Sequence, residues 1–253
     1  MNEQQKLLTL QFINDNIDSF HASRLRFLHG LKLEDILRRK NPYLFRAKNI
    51  QTADELVNSI VDASLSSSEE GLFGRFLEEV AIFVNNLLFG GQKSSTTGID
   101  LEFNRDDTRY VLAIKSGLNW GNSSQHAALR LNFSNAVKVL RQSRQVRHAQ
   151  AVLGICYGQS QTIERGDYTL MSGKDFWEFI SGDAELYIDL ISLVAFHSQE
   201  HNERFFLEKL DAVQRITDDF AAEFCGELRQ VDWQKLIIFN SGPKSPRKSR
   251  SRK

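Results

Sequence analysis

The chain has 253 residues, of which 41% are hydrophobic and 25% charged, a composition typical of soluble globular proteins with a substantial core. It contains no run of about 18 apolar residues, and its first residues lack a signal-peptide core. We therefore expect no membrane span and a cytoplasmic location. The two cysteines, Cys156 and Cys225, are too few for a disulfide framework.

The formal net charge is zero, but the charges are unevenly distributed along the chain. Residues 241–253 carry six basic residues and no acidic one, which predicts a disordered basic tail. Between Thr108 and Ile163 there are seven lysines or arginines and no aspartate or glutamate. This distribution predicts one surface that binds a polyanion.

Residues 1–68 predict a helical N-terminal region. Apolar residues recur at helical spacing over residues 1–30, and shorter helices are expected over 31–37 and 52–65. The serine run 66–68 is expected to be a loop. We expect this region to pack on the core or to build a dimer.

A strong helix is predicted over residues 70–89, because large apolar side chains form one stripe on it. On a helical wheel of about 100° per residue, Glu79 borders that stripe beside Phe76 and Phe83, whereas Glu78 points nearly opposite to the stripe. Glu79 is therefore the predicted site residue of this helix, and Glu78 is expected to be solvated.

A β-hairpin is predicted over residues 98–115. Alternating apolar residues indicate its first strand, and the apolar run 111–114 indicates a second strand that ends at Lys115. The hairpin places Asp100 and Lys115 at one edge of a sheet. An aspartate there can hold a divalent cation, and the lysine can orient a water or stabilise charge on a phosphoryl group.

The rest of the chain predicts an α/β fold with a mixed central sheet flanked by helices. A polar loop is expected over 116–125, then a helix capped by Ser134 that runs to about His148. The apolar strand 151–157 should lie parallel to its neighbour, and a fourth strand is expected over 167–171. Helices should follow, so that residues 69–240 form the core and residues 241–253 the tail.

The acid, the hairpin and the lysine resemble the core of PD-(D/E)XK nucleases. Two segments are similar to type II restriction endonucleases of the EcoO type. They are Thr-Gly-Ile-Asp-Leu-Glu-Phe and, further along, Ala-Ile-Lys-Ser-Gly-Leu-Asn-Trp-Gly-Asn-Ser-Ser-Gln. Residues 40–48 and 173–182 share this likeness, so the resemblance covers roughly residues 31–240.

The resemblance implies a restriction-endonuclease-like fold and Mg²⁺-dependent cleavage of double-stranded DNA, with one or two ions per active site. It also implies a short palindromic target, interrupted GG/CC in this group. A homodimer suits such a target, since each subunit can serve one strand. A cognate DNA methyltransferase is the implied genetic partner.

The sequence departs from the superfamily motif at Ala113, where an aspartate or glutamate is expected two positions before the lysine. A neutral residue there cannot bind metal. Glu79 is the first candidate for the missing carboxylate, and Glu102, on the same strand face as Asp100, is the second. Two alternatives stay open: a superfamily nuclease with loose specificity, and a non-catalytic DNA-binding homologue.

Two further groups of residues require interpretation. His197-Ser-Gln-Glu-His201 matches a zinc-peptidase pattern, but it is short and no third ligand is apparent, so we reject a metallopeptidase. The polar loop and the acid-free basic stretch supply candidate DNA contacts. The alternative for the loop is a turn stabilised by its own side chains, and the alternative for the basic stretch is a solvated helix face. These candidates are Asn119, Asn122, Gln125, Arg130, Lys138, Arg141 and Arg144.

Overall fold

The computed structural model describes residues 1–142, 148–195 and 198–243. Within them the chain forms two compact units. The first combines Met1–Ala22 with Glu70–Glu200, and the second combines Ser23–Glu69 with residues 201–243. The sequence-based division at residues 68 and 240 differs from this grouping, which joins the first 22 residues to the sheet and residues 201–243 to the helices before residue 70.

Helices form most of the described part of the chain. Glu227–Arg229 is a 3₁₀ turn, and the α-helices are α1 (Glu3–His29), α2 (Leu33–Arg39), α3 (Pro42–Ala47), α4 (Ala53–Phe89), α5 (Ser123–Gln142), α6 (Lys174–Ser181), α7 (Leu186–Val194), α8 (Ser198–Phe224) and α9 (Trp233–Ser241). Among the helices described, none combines the length and the apolar composition that a membrane-spanning segment needs.

A six-stranded mixed sheet lies in the first unit. Its order is β1-β2-β3-β4-β6-β5, and its strands are β1 (Gln92–Lys93), β2 (Leu101–Arg105), β3 (Thr108–Lys115), β4 (His148–Ile155), β5 (Gln161–Glu164) and β6 (Thr169–Ser172). The β2–β3 hairpin is antiparallel, whereas β3, β4 and β6 run parallel. The predicted α/β fold with a helical N-terminal region is confirmed. Short, polar β1 and β5 were missed, since they carry little apolar pattern.

Strand β3 is buried on both faces, which explains its continuous apolar run. Leu112 and Ile114 pack in a cluster with α1, α4, α6 and α7. Val111 and Ala113 pack in a second cluster with α5. The central strand is therefore held between two helical layers, and its last residue, Lys115, emerges at the edge of the packed region.

The predicted loop at residues 66–68 was wrong, because helix α4 continues without a break through these serines. The run contains no proline or glycine, and serine is only moderately unfavourable within a helix. Ser64 Oγ also donates to the carbonyl oxygen of Ile60 at 2.7 Å, an i−4 contact that suits a helical backbone. The polar run was therefore insufficient evidence for a loop.

Helix α5 begins twelve residues earlier than predicted, since its cap is Asn122 rather than Ser134. Asn122 Oδ1 accepts from the Gln125 backbone N–H at 3.1 Å, and Gln125 Oε1 accepts from the Asn122 N–H at 2.9 Å. This reciprocal pair is a capping box, which satisfies donors that the first helical turn leaves free. His148 was also misplaced, since it begins β4.

The second unit has its own helical core. Its buried residues include Leu56 and Ile60 of α4 and Phe220 and Phe224 of α8. Gln51 O accepts from the Val231 N–H at 2.9 Å, so main-chain bonding also joins the early and late segments of this unit.

Candidate active site

The hairpin brings Asp100 and Lys115 together at one edge of the sheet, as predicted. Asp100 lies directly before β2, and its backbone N–H donates to the carbonyl oxygen of Leu112 at 2.7 Å. Asp100 Oδ2 accepts from the Ile114 N–H at 2.6 Å and lies 3.6 Å from Lys115 Nζ. The side chains are 21% and 33% exposed, respectively. The carboxylate is therefore fixed by main chain and partly open to a ligand.

Glu78, rather than Glu79, is the acid of α4 that lies within electrostatic reach of Asp100 and Lys115. The Glu78 side chain is 23% exposed and its Oε1 lies 3.6 Å from Lys93 Nζ. Burial raises the pKa of Glu78, and the negative charge of Asp100 raises it further, whereas Lys93 and Lys115 lower it. Glu79 is exposed. The predicted orientation of these two glutamates was thus wrong.

The error arose because the helical stripe was drawn through large apolar side chains alone. Ala81 and Asn85 are fully buried and extend the buried face toward Glu78. Asn85 Nδ2 donates to the carbonyl oxygen of Ile180 at 2.9 Å, which allows this polar side chain to face the core. Gly74, one turn before Glu78, was a signal in the sequence that this face of α4 packs closely on another segment. A Cβ at Gly74 would lie 3.3 Å from Ser116, the residue directly after Lys115.

Glu102, the second candidate for the missing carboxylate, is engaged elsewhere. Arg109 Nη2 donates to Glu102 Oε2 at 2.8 Å, and Ser94 Oγ donates to Oε1. Both carboxylate oxygens therefore have protein partners. This makes Glu102 less suited than Glu78 to join Asp100 around a cation.

The position of the missing acid, Ala113, is completely buried in the cluster beneath α5. A neighbouring buried thiol, Cys156, is joined to the site through its backbone N–H, which donates to the Lys115 carbonyl oxygen at 2.9 Å. Burial raises the pKa of Cys156, and the charge of Glu78 raises it further. The thiol is therefore protonated and is not a nucleophile.

The loop after Lys115 lies beside the site. Lys115 Nζ is 5.9 Å from the centre of the Trp120 ring, and Trp120 packs on His126. Asn119 is exposed. Asn122 and Gln125 form the cap of α5, so the alternative of a turn stabilised by its own side chains applies to both.

The predicted basic contacts on α5 have different environments. Arg130 Nη1 forms a 2.7 Å ion pair with Asp167, whereas Lys138 and Arg141 are exposed. Arg144 lies outside the described residues, as do His197 of the rejected zinc pattern and the basic residues of the predicted tail. Among the residues described, no group of three or more histidine, cysteine or acidic side chains could hold a metal ion.

An aspartate and a helix-borne glutamate can hold a divalent cation, and a lysine beside them can stabilise charge on a phosphoryl group. A family model described as "Type II restriction endonuclease EcoO109I" matches residues 8–202, about three quarters of the chain. The chain belongs to this family and is a DNA-cleaving hydrolase. The comparison with individual curated proteins gives no match. The family match begins earlier and ends earlier than the predicted resemblance over residues 31–240.

Proposed function

We propose that this protein is a Mg²⁺-dependent, site-specific endonuclease with a PD-(D/E)XK-type active site formed by Asp100, Glu78 and Lys115. The observation that carries the proposal is the convergence of these side chains at the end of the hairpin. Asp100 is held 3.6 Å from Lys115, and its charge acts on half-buried Glu78. Ala113 then needs no acidic side chain, because α4 supplies the second carboxylate.

The donor set fits a magnesium ion. Mg²⁺ usually retains several waters and binds one or two protein carboxylates together with substrate phosphate oxygens, so a third protein carboxylate is not required. Asp100 and Glu78 are the residues that would hold it. Burial raises the pKa of Glu78 and the charge of Asp100 raises it further, so a cation held near both carboxylates would be favoured. When bound, the ion would polarise the phosphate and lower the pKa of a coordinated water.

The protein side chains have distinct roles in this proposal. Asp100 is oriented by the Ile114 N–H and keeps its carboxylate beside Lys115. Lys115 positions the attacking water or stabilises the charge that develops on the phosphoryl oxygens during in-line displacement. The reaction leaves a 5′-phosphate. Glu79 and Glu102 lie outside this set.

Double-strand cleavage of a short palindrome is the proposed specificity, interrupted GG/CC as the EcoO resemblance implies. A homodimer would provide one active site for each strand. A cognate methyltransferase would protect host DNA, as in restriction-modification systems. Asn119, Asn122, Gln125, Lys138 and Arg141 remain the proposed DNA contacts of the described chain, and Arg130 is the weakest candidate because Asp167 already pairs with it.

The proposed function is tested by digestion of unmethylated phage-length DNA with Mg²⁺. Wild type should give discrete fragments, whose ends define the recognition sequence. Asp100→Asn and Lys115→Ala should abolish the fragments, with rates at least about 10³-fold lower. Asp106→Asn is the matched control, since Asp106 is 92% exposed in the hairpin turn.

Three results would contradict parts of the proposal. Smeared products would indicate a nuclease of loose specificity. Intact DNA that is nevertheless bound would exclude catalysis by this site. Unchanged cleavage by Lys115→Ala would remove the lysine from the mechanism.

A further inference from the structure

A basic pocket lies in the helical second unit, apart from the residues of the proposed active site. Its volume is about 530 Å³, and its lining residues come from the end of α1, the turn that follows, α2 and α4. Four cationic side chains line it, whereas Asp35 is the single acidic residue among its lining residues. The cations are Arg26, Lys32, Arg39 and Lys40.

The α4 part of the lining carries hydroxyl groups, from Ser64, Ser67 and Ser68. Ser64 Oγ donates to the carbonyl oxygen of Ile60, so Ser67 and Ser68 are the hydroxyl donors that this lining offers to a ligand. A neighbouring pocket of the same unit shares Lys32 and Asp35 but is otherwise mainly acidic, with Glu34, Asp219 and Glu223. Positive charge is therefore concentrated in one pocket and is not a general property of the unit.

We propose that the basic pocket binds backbone phosphates of DNA. Arginine guanidinium groups can donate two parallel hydrogen bonds to a phosphate, lysine adds positive charge, and serine hydroxyls are frequent phosphate donors. These contacts carry no sequence information and would act on any DNA. The inference rests on the proposed function in one respect, because that function makes DNA the polyanion that this protein meets.

Charge compensation at helix C-termini applies to Arg26 of α1 and Arg39 of α2 but not to Lys32, which directly precedes α2. Cations near a helix C-terminus interact favourably with its dipole, and both Arg38 and Arg39 lie in the last turn of α2. Arg38 is used within the protein, where it lies 4.6 Å from the centre of the Phe239 ring and 4.0 Å from Glu34. Arg39 instead lines the pocket. These adjacent arginines give a matched pair for an experiment.

The experiment measures binding of a fluorescein-labelled DNA duplex by the full chain, without divalent metal, over a range of salt concentrations. Each lost phosphate contact should reduce the magnitude of the slope of log K against log salt by about 0.9. Near 0.1 M salt this corresponds to an affinity about eightfold lower. Arg39→Ala with Lys40→Ala should therefore weaken binding roughly 50-fold, equally for site-containing and unrelated duplexes. Arg38→Ala should leave affinity and slope unchanged.

A second pair of variants avoids removing side chains that support the fold. Ser67 is exposed on α4, so both Ser67→Asp and Ser67→Asn can be accommodated at this position. Ser67→Asp should weaken binding about as much as the loss of one phosphate contact, roughly eightfold, whereas Ser67→Asn should not. Thermal unfolding of each variant identifies any general loss of structure.

The outcomes separate this proposal from that of the active site. Equal affinities for wild type and the Arg39/Lys40 and Ser67→Asp variants would overturn the phosphate pocket. An equal loss in Arg38→Ala would also overturn it, because the effect would then be one of general charge. Asp100→Asn should lose cleavage but retain the salt slope, so either proposal can fail without the other.

Discussion

Two polar clusters at the β2–β3 hairpin combine carboxylates with cationic side chains in different ways. In the proposed catalytic cluster, defined as Asp100, Lys115 and Glu78, both carboxylates are partly buried, and burial together with the charge of Asp100 raises the pKa of Glu78. In the Glu102 cluster, defined as Glu102, Arg109 and Ser94, both oxygens of one carboxylate are hydrogen-bonded. The comparison teaches that a candidate metal site is recognised by like charges left together, and a structural site by completed hydrogen bonds.

The largest expected effect concerns the two adjacent glutamates of α4. Glu78→Gln should lower the cleavage rate about 10²- to 10³-fold at saturating DNA, because it removes one of two proposed metal-binding carboxylates. Glu79→Gln should remain within about twofold of wild type, since an exposed substitution perturbs little. Single-turnover cleavage with varied Mg²⁺ measures both. The reverse ranking would restore the orientation predicted from the helical pattern.

Glu102→Gln should affect stability instead of catalysis. The amide retains a hydrogen-bond acceptor for Ser94 but loses the charge that pairs with Arg109, at an expected cost of about 1–3 kcal/mol. Urea unfolding measures the loss, and cleavage at saturating DNA should remain within about twofold. A catalytic loss as large as that of Glu78→Gln would contradict the comparison and place Glu102 in the metal site.

A smaller effect is expected at Gln125, which distinguishes capping from DNA contact. Gln125→Ala should destabilise the protein by about 1 kcal/mol, because the capping interaction with the Asn122 N–H is lost. Gln125→Glu preserves the capping box and should retain stability, but its negative charge should weaken DNA binding. Thermal unfolding and DNA titration separate the two roles. Unchanged DNA affinity in Gln125→Glu would leave Gln125 with the capping role alone.

The smallest effect is a pH dependence at Asp175, a second carboxylate whose two oxygens both accept hydrogen bonds. Ser160, followed by Thr162, donates to this carboxylate and lowers its pKa. A lowered pKa in the folded state means that its stabilisation is complete above the unfolded value, about 3.9, and is lost as pH falls through the folded value. Asp175→Asn should therefore lower the melting temperature slightly at neutral pH, and the difference from wild type should vanish in strong acid. A difference that grows on acidification would contradict this assignment.

Local patterns in the sequence determined much of the fold and two of the three residues of the proposed site. Alternation over residues 99–103 and the apolar run 111–114 defined the hairpin, since strand geometry places alternate side chains on opposite faces. The same geometry brought Asp100 beside Lys115. The parallel strand β4 also followed from the intervening helix. These features depend on neighbours in the sequence or on simple connection rules.

Tertiary packing decided the remaining features. Whether Glu78 or Glu79 reaches Asp100 depends on the full buried face of α4, which includes small Ala81 and polar Asn85, and a pattern of large apolar residues omits both. The continuity of α4 through Ser66–Ser68 was likewise ambiguous locally, because serines are compatible with a loop or a helix. The basic pocket joins cations from separate segments with serines about thirty residues away. Local propensity specifies elements, but only their packing specifies which side chains meet.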